Sequence, residues 1–145
     1  MVFIIWYFCC DSLALKSSTS EAGSVSSYPF FRDGIDLSLQ EVPAERLIAG
    51  IPFYTRIWTG EGDTLTSTAI GLDTAKQWAE ENNVSLTWDN ELGQYTGATE
   101  NERLWLEDNE SLELKMNYIT SSGLGGVACW KLGLEGKDTW EIVHF

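Results

Sequence analysis

The sequence predicts an α/β fold built on a parallel sheet, and two observations carry that prediction. Two short runs, Arg46–Tyr54 (RLIAGIPFY) and Leu124–Trp130 (LGGVACW), are apolar without polar alternation, the pattern of strands covered on both faces. Stretches of helical periodicity flank and separate them, which is the order of a sheet wrapped by helices. Two such strands do not close a sheet, so the pattern suggests part of something larger. The chain has 145 residues, 43% of them hydrophobic, enough for one modest core.

Taken in order, Met1–Cys10 (MVFIIWYFCC) is apolar but has no basic leading region and no clear small-residue cleavage site, so it is a poor signal peptide and a plausible buried strand. Residues 12–27 are rich in Ser, Thr, Ala and Gly and read as loop. Ser27 followed two residues later by Pro29 marks a helix start. Phe31, Ile35, Leu39 and Val42 then predict a helix over about 29–41, ended by Pro43, although Ile35, Leu37 and Leu39 also alternate as in a strand. The first buried strand follows, and residues 60–71 read as loop. Asp73 is the expected cap of a helix carrying Ala75, Trp78 and Ala79, ending near Asn83. Val84, Leu86 and Trp88, a turn at Asp89–Gly93 and a return over Gln94–Thr96 predict a hairpin. Arg103–Glu107 adds a third short strand. Asp108 or Asn109 caps a helix with Leu112, Met116 and Ile119 on its apolar face, and Gly123 stands where a glycine ends it. The second buried strand follows, then a helical turn over Thr139–Val143.

Charge excludes several functions. Against 9 Lys and Arg stand 22 Asp and Glu, a net −13, so no phosphate backbone would be neutralised and nucleic acid is not an expected partner. Residues 1–60 carry 4 basic and 6 acidic groups, residues 61–145 carry 5 and 16. A neutral partner fits this surface better than an anionic one. No apolar run reaches the ~18 residues of a membrane span. The three cysteines, Cys9, Cys10 and Cys129, do not make a disulfide framework and read as free thiols. Seven Trp and five Tyr suit either core packing or platforms on which sugar rings stack.

The sequence contains no nucleophilic triad, zinc motif or phosphate loop, because His144 is the single histidine and no glycine-rich phosphate signature occurs. No metal or cofactor is expected. Carboxylates remain, in Glu80-Glu81 at a helix end and Glu107-Asp108-Glu110 at a helix start. Both clusters read as solvated or dipole-favoured positions rather than a catalytic pair.

The most specific string is VPAERLIAGIPFYTRIW, Val42–Trp58. With LTWDNELGQY (Leu86–Tyr95), WLEDNESLELKM (Trp105–Met116) and GLGGVACWKLGLE (Gly123–Glu135), it resembles the family 18 glycoside hydrolases. The nearest resemblance is to their spore-associated branch of chitinase-like N-acetylglucosaminidases. The resemblance covers about residues 21–145 and implies an incomplete (β/α)8 TIM barrel. Leu47–Tyr54 would be its seventh strand and Leu124–Trp130 its eighth, with a small β-hairpin insertion at about 60–107 between them. Residues 1–20 match poorly and are at most a remnant of strand six, where Cys10-Asp11 stands near the family's Tyr-Asp pair.

Active-site groups of such barrels sit at the C-terminal ends of strands. The resemblance makes Trp130 the floor under the reactive N-acetylglucosamine ring and Arg56 a hydrogen-bonding residue, with Tyr54 and Trp58 as flanking walls. The family's DxxDxDxE motif is absent. The nearest string, Asp33 to Gln40, puts Ser38 and Gln40 where the acid pair belongs, and lies in a stretch expected to be helix. No catalytic residue is therefore assigned.

The implied activity is substrate-assisted retaining hydrolysis of β-1,4-linked N-acetylglucosamine polymers, chitin or peptidoglycan. The chain alone is expected to be inactive, needing the missing N-terminal barrel half. The alternatives are a catalytically dead carbohydrate-binding protein and a gene-model fragment without independent function. Extracellular, spore or cell-wall placement rests on family analogy alone.

Overall fold

The computed structural model describes residues 21–144. The expected strand at Met1–Cys10, the strand-six remnant within residues 1–20, and Cys9 and Cys10 lie outside the described residues.

Helix α1 spans Tyr28–Ser38, with Ser27 as N-cap and Pro29 in its first turn, and buries Phe31, Gly34 and Ile35. It is a helix and not the alternative strand. It stops three residues before the expected end, and Pro43 instead starts a short 3₁₀ turn over Ala44–Arg46. The expected strand Arg46–Tyr54 divides in two. β1 is Ile48–Pro52 and β2 is Tyr54–Thr59, with a break at Phe53. The Phe53 N–H donates to the Trp130 carbonyl at 2.7 Å, and its fully buried ring meets Trp140 edge-on at 5.3 Å. Those contacts turn the chain out of one sheet and into another.

The expected loop at residues 60–71 is corrected. After a 3₁₀ turn, Thr66–Gly71 forms β3, antiparallel to β2 in register from Tyr54↔Gly71 to Thr59↔Thr66. Its β-branched threonines suit a half-covered pleated surface. Helix α2 follows at once over Leu72–Glu81, capped by Gly71 rather than by Asp73, which accepts the Lys137 N–H at 3.0 Å instead. Strands β4 (Thr87–Asp89) and β5 (Gln94–Ala98) make the expected hairpin, and β6 (Glu102–Leu106) joins β5 to β2. The element between the two buried runs is thus larger than a hairpin: a five-stranded antiparallel sheet in the order β3-β2-β6-β5-β4.

Helix α3 spans Asn109–Ser121 and starts at a capping box. The Asp108 carboxylate accepts from the Ser111 N–H at 3.0 Å, and the Ser111 hydroxyl accepts from the Asp108 N–H at 2.9 Å. Gly123, at φ 64°, ends it in the left-handed conformation expected of a C′ glycine. β7 is Gly126–Trp130 and α4 is Thr139–Ile142. β7 lies parallel to β1, with Ile48 opposite Gly126 and Pro52 opposite Trp130. Gly125 just before it is compulsory, because a Cβ there would stand 2.3 Å from the Glu45 carbonyl oxygen.

The main core surrounds this parallel pair. Ala49 and Ile51 of β1 pack with Phe31 and Ile35 of α1, Leu112, Met116 and Ile119 of α3, and Leu124. A smaller cluster of Ala75, Leu104 and Leu106 seats α2 on one face of the antiparallel sheet.

Candidate functional site

Strand alternation builds the site. Along β2, Thr55 and Ile57 project to one face and Tyr54, Arg56 and Trp58 to the other. Ile57 joins the cluster under α2, so the three predicted residues occupy the face turned away from that helix. Tyr54 is buried against Val25 and Leu134. The Trp58 indole N–H donates to the Gly23 carbonyl at 2.9 Å, which fixes the ring's orientation. Arg56 is buried, and its Nη1 donates to Ser67 Oγ of β3 at 2.8 Å.

Trp130 is the last residue of β7, directly opposite Pro52 at the end of β1, and its side is 41% exposed. The peptide between Trp130 and Lys131 is cis. Trp130 thus ends the parallel pair, and Tyr54, Arg56 and Trp58 follow the end of β1 along one face of β2.

Trp88 lies elsewhere. It pairs with Tyr95, meeting its ring at 5.0 Å, and Tyr95 packs into the cluster beneath α2. A cavity of about 350 Å³ on that side is lined by Lys76, Glu80, Leu86, Tyr95 and Asp108 among others, none of them a predicted site residue. The Asp33–Gln40 string sits on and just after α1. Asp33 pairs with its neighbour Arg32 at 2.7 Å, and Asp36 accepts from the Tyr118 hydroxyl. The string is not a strand-end acid motif.

One expectation about the carboxylates fails. Glu107 is not solvated but fully buried. Its carboxylate accepts from Lys115 Nζ at 2.6 and 2.7 Å, from Ser111 Oγ at 2.8 Å and from Gln94 Nε2 at 2.9 Å. Burial pushes its proton affinity up, against the pull of Lys115 and Ser111 in the other direction. Gln94 in turn accepts from the Ser24 hydroxyl, next to the Gly23 that holds Trp58. Thr55 Oγ accepts from the Glu107 N–H at 2.7 Å and donates to the Trp105 carbonyl at 3.1 Å. The buried pair therefore ties α3, β5, β2 and the segment before α1 together behind the site. The sequence held one signal for it: Lys115 stands on the same helix face as Leu112, Met116 and Ile119.

Solved structures share this fold. A chitinase from Chromobacterium violaceum ATCC 12472 superposes with a TM-score of 0.78 at 23% identity, over 90% of this chain and 42% of its own. The spore cortex-lytic enzyme SleL of Bacillus megaterium QM B1551 superposes with a TM-score of 0.74 at 27% identity, over 84% of this chain and 30% of its own. The fold is that of the chitinases and cortex-lytic enzymes. The sequence profile of glycosyl hydrolases family 18 matches residues 27–135, and the chain belongs to that family. A cortical fragment-lytic enzyme of Bacillus subtilis (strain 168) is 35% identical over 121 residues, 77% of this chain and 28% of that protein. The chain spans less than half the length of each of these relatives. Among the described residues, no helix is long and apolar enough to cross a membrane.

Proposed function

We propose that the chain forms the sugar-holding wall of a glycosidase acting on β-1,4-linked N-acetylglucosamine polymers, chitin or peptidoglycan. In this reading it is the C-terminal part of a (β/α)8 barrel, with β1 and β7 as the seventh and eighth strands and the antiparallel sheet as the insertion between them. The observation that supports it is that Trp130 ends β7 beside the end of β1, and that the chain runs on from there into β2 with Tyr54, Arg56 and Trp58 on one face, the side on which barrels of this kind bind substrate.

Each residue has a physical role. The half-exposed Trp130 offers an apolar face for the C–H face of a pyranose ring. Arg56 offers a planar fork of donors for ring substituents. Trp58 bounds the ring on a flank, whereas Tyr54, expected as a second wall, is buried against Val25 and Leu134 and supports the strand instead. Hydrolysis would proceed with retention, the substrate's own acetamide oxygen attacking the anomeric carbon while a carboxylic acid protonates the leaving oxygen. This sequence contains no DxxDxDxE motif to supply that acid. The acid would come from the N-terminal half of the barrel.

The chain alone is therefore expected not to turn over a chromogenic N-acetylglucosamine substrate, since positioned acid–base groups contribute roughly 10²–10⁴-fold. Measurable turnover would overturn the reading. In calorimetric titration with chitotetraose, Trp130→Ala is expected to weaken binding ten- to a hundredfold, corresponding to about 1–3 kcal/mol of lost aromatic contact. Trp88→Ala, on the opposite face of the sheet, is expected to leave binding unchanged. The reverse order of effects would move the platform to the hairpin.

A further inference from the structure

The stretch that leads into α1 is fastened to the antiparallel sheet by side chains. Residues 21–26 form neither helix nor strand, so no backbone ladder holds them still. Among the described residues, two hydrogen bonds tie them to the sheet. The Trp58 indole N–H donates to the Gly23 carbonyl at 2.9 Å, and the Ser24 hydroxyl donates to Gln94 Oε1. Both ties lie on one face. Residues directly opposite each other in an antiparallel pair project to the same face, and Trp58 is opposite Arg103, which is opposite Ala98. Gln94 stands four residues before Ala98 on β5, so it projects to the face that carries Trp58.

The direction of the Gln94 amide is set from behind. Gln94 is fully buried, and the two ends of an amide have nearly the same shape, so hydrogen bonding decides which end points where. The Glu107 carboxylate, held by Lys115 Nζ at 2.6 and 2.7 Å, only accepts. Gln94 therefore turns Nε2 to it, at 2.9 Å, and Oε1 is left facing the chain before α1. That oxygen takes a donor, and the Ser24 hydroxyl gives it its single proton. The same hydroxyl oxygen accepts from the Ser26 N–H at 3.1 Å. From Ser26 to Glu107 every bond in the row donates the same way, toward the buried charge. The Gly23 carbonyl that holds Trp58 is one residue from this row.

We propose that Gln94 and Ser24 are positioning residues for the Trp58 ring, linking the buried Lys115–Glu107 pair to the segment that orients the indole. This rests on the reading of Trp58 as a wall of the glycan site and says what holds that wall at its angle. A flat ring gains most from a sugar at one tilt, and the bond from its N–H to Gly23 restrains that tilt. Gly23 keeps its place because Ser24 beside it is tied to Gln94, and Gln94 keeps its direction because Glu107 is charged. A buried ion pair adds little net stability over an apolar pair of the same volume, whereas a fixed direction for the amide is something an apolar pair does not supply. Neither Gln94 nor Ser24 touches the sugar in this account. They act through Gly23 and Trp58, in the way that supporting hydrogen bonds hold a binding group in its productive geometry.

The test is nuclear magnetic resonance of the 145-residue chain with 15N-labelled tryptophan, together with calorimetric titration by chitotetraose. The Trp58 indole signal is assigned by its loss in Trp58→Phe. The Trp78 indole, which donates to Glu102 at 3.1 Å under α2 on the sheet's other face, is the internal control. In Ser24→Ala and in Gln94→Leu, exchange of the Trp58 indole proton with water is expected to quicken about tenfold, while that of Trp78 stays within about twofold of wild type. Affinity for chitotetraose is expected to fall about three- to tenfold in both. Ser24→Thr keeps the hydroxyl and is expected to match the wild type in both measurements. Ser24 is partly exposed and outside any helix or strand, so Ser24→Ala against Ser24→Thr keeps the test decisive if Gln94→Leu does not fold. Equal quickening of both indoles shows general loosening and overturns the proposal, as does an unchanged Trp58 indole in Ser24→Ala. A quickened Trp58 indole with unchanged affinity overturns the positioning role. Failure of the wild type to bind chitotetraose overturns the glycan reading, and the indole comparison alone then decides whether Gln94 and Ser24 hold the ring.

Discussion

Among the described residues, twelve buried apolar residues form the core around and within the parallel β1–β7 pair, whereas three seat α2 on the antiparallel sheet. The smaller apolar cluster is matched by a buried polar network, Lys115–Glu107–Gln94–Ser24, on the sheet's opposite face. The first region is held by the area it removes from water. The second is attached to it through hydrogen bonds and one ion pair that have to be complete. Non-directional burial tolerates small misfits, but a buried network with one member missing leaves an unsatisfied charge.

The strongest way to break this contrast is to remove half of the ion pair. Lys115→Met is expected to cost about 3–5 kcal/mol in urea unfolding, since it strands the Glu107 carboxylate in the interior. Combining it with Glu107→Gln is expected to recover most of the loss. The single variant also carries a pH signature. Burial raises the Glu107 carboxyl above its ordinary value, and the loss of Lys115 raises it further. The folded state then holds the proton more tightly than the unfolded state, so the deficit grows as pH rises above the ordinary carboxylate range and shrinks below it. A deficit that grew on acidification would refute the buried-charge account.

Apolar truncations come next. Leu112→Ala in the main core is expected to cost about 2–5 kcal/mol, and Leu106→Ala in the small cluster is expected to fall at the lower end of that range. Equal losses in parallel unfolding experiments would show that the two regions share one core.

Much of this contrast was legible in the residues, though unevenly. The runs IAGIP and GVACW announce doubly covered strands, and Asp108, Gly123 and the apolar spacing of α3 announce its ends and its buried face. The break at Phe53 was not legible. RLIAGIPFY is one apolar run, and only the tertiary contacts of Phe53 with Trp130 and Trp140 divide it. β3 was missed because TSTAIG is polar and short, although its β-branched residues carried the signal. The gathering of Tyr54, Arg56 and Trp58 follows from strand alternation once β2 is known. The burial of Glu107 does not, because it depends on a lysine eight residues away whose place on the apolar face of α3 was the one signal for it.

Smaller effects sharpen the same contrast. Asp108→Ala removes the cap that joins the end of β6 to α3 and is expected to cost about 0.5–2 kcal/mol by thermal denaturation. The thiol of Cys129, on β7, is pushed up to about 11 by burial and then by nearby Glu135. At pH 8 it is expected to alkylate far more slowly than an unburied cysteine, as peptide mass mapping after iodoacetamide would measure. Rapid modification would show that β7 is open on the side the core was taken to cover.

The pairing of β1 with β7 also has a consequence for how the chain reaches its native state. Ile48 meets Gly126, 78 positions later, while the strands between them include adjacent hairpins, β2 with β3 and β4 with β5. Closing a long loop costs entropy before any contact repays it, and short hairpins close in microseconds. The antiparallel sheet is thus expected to assemble early and shorten the effective distance between the ends of β1 and β7. The parallel ladder then forms late. A nascent chain would carry the apolar β1 without its partner until Trp130 has left the ribosome, which makes this stretch the interval of greatest exposure to aggregation during synthesis.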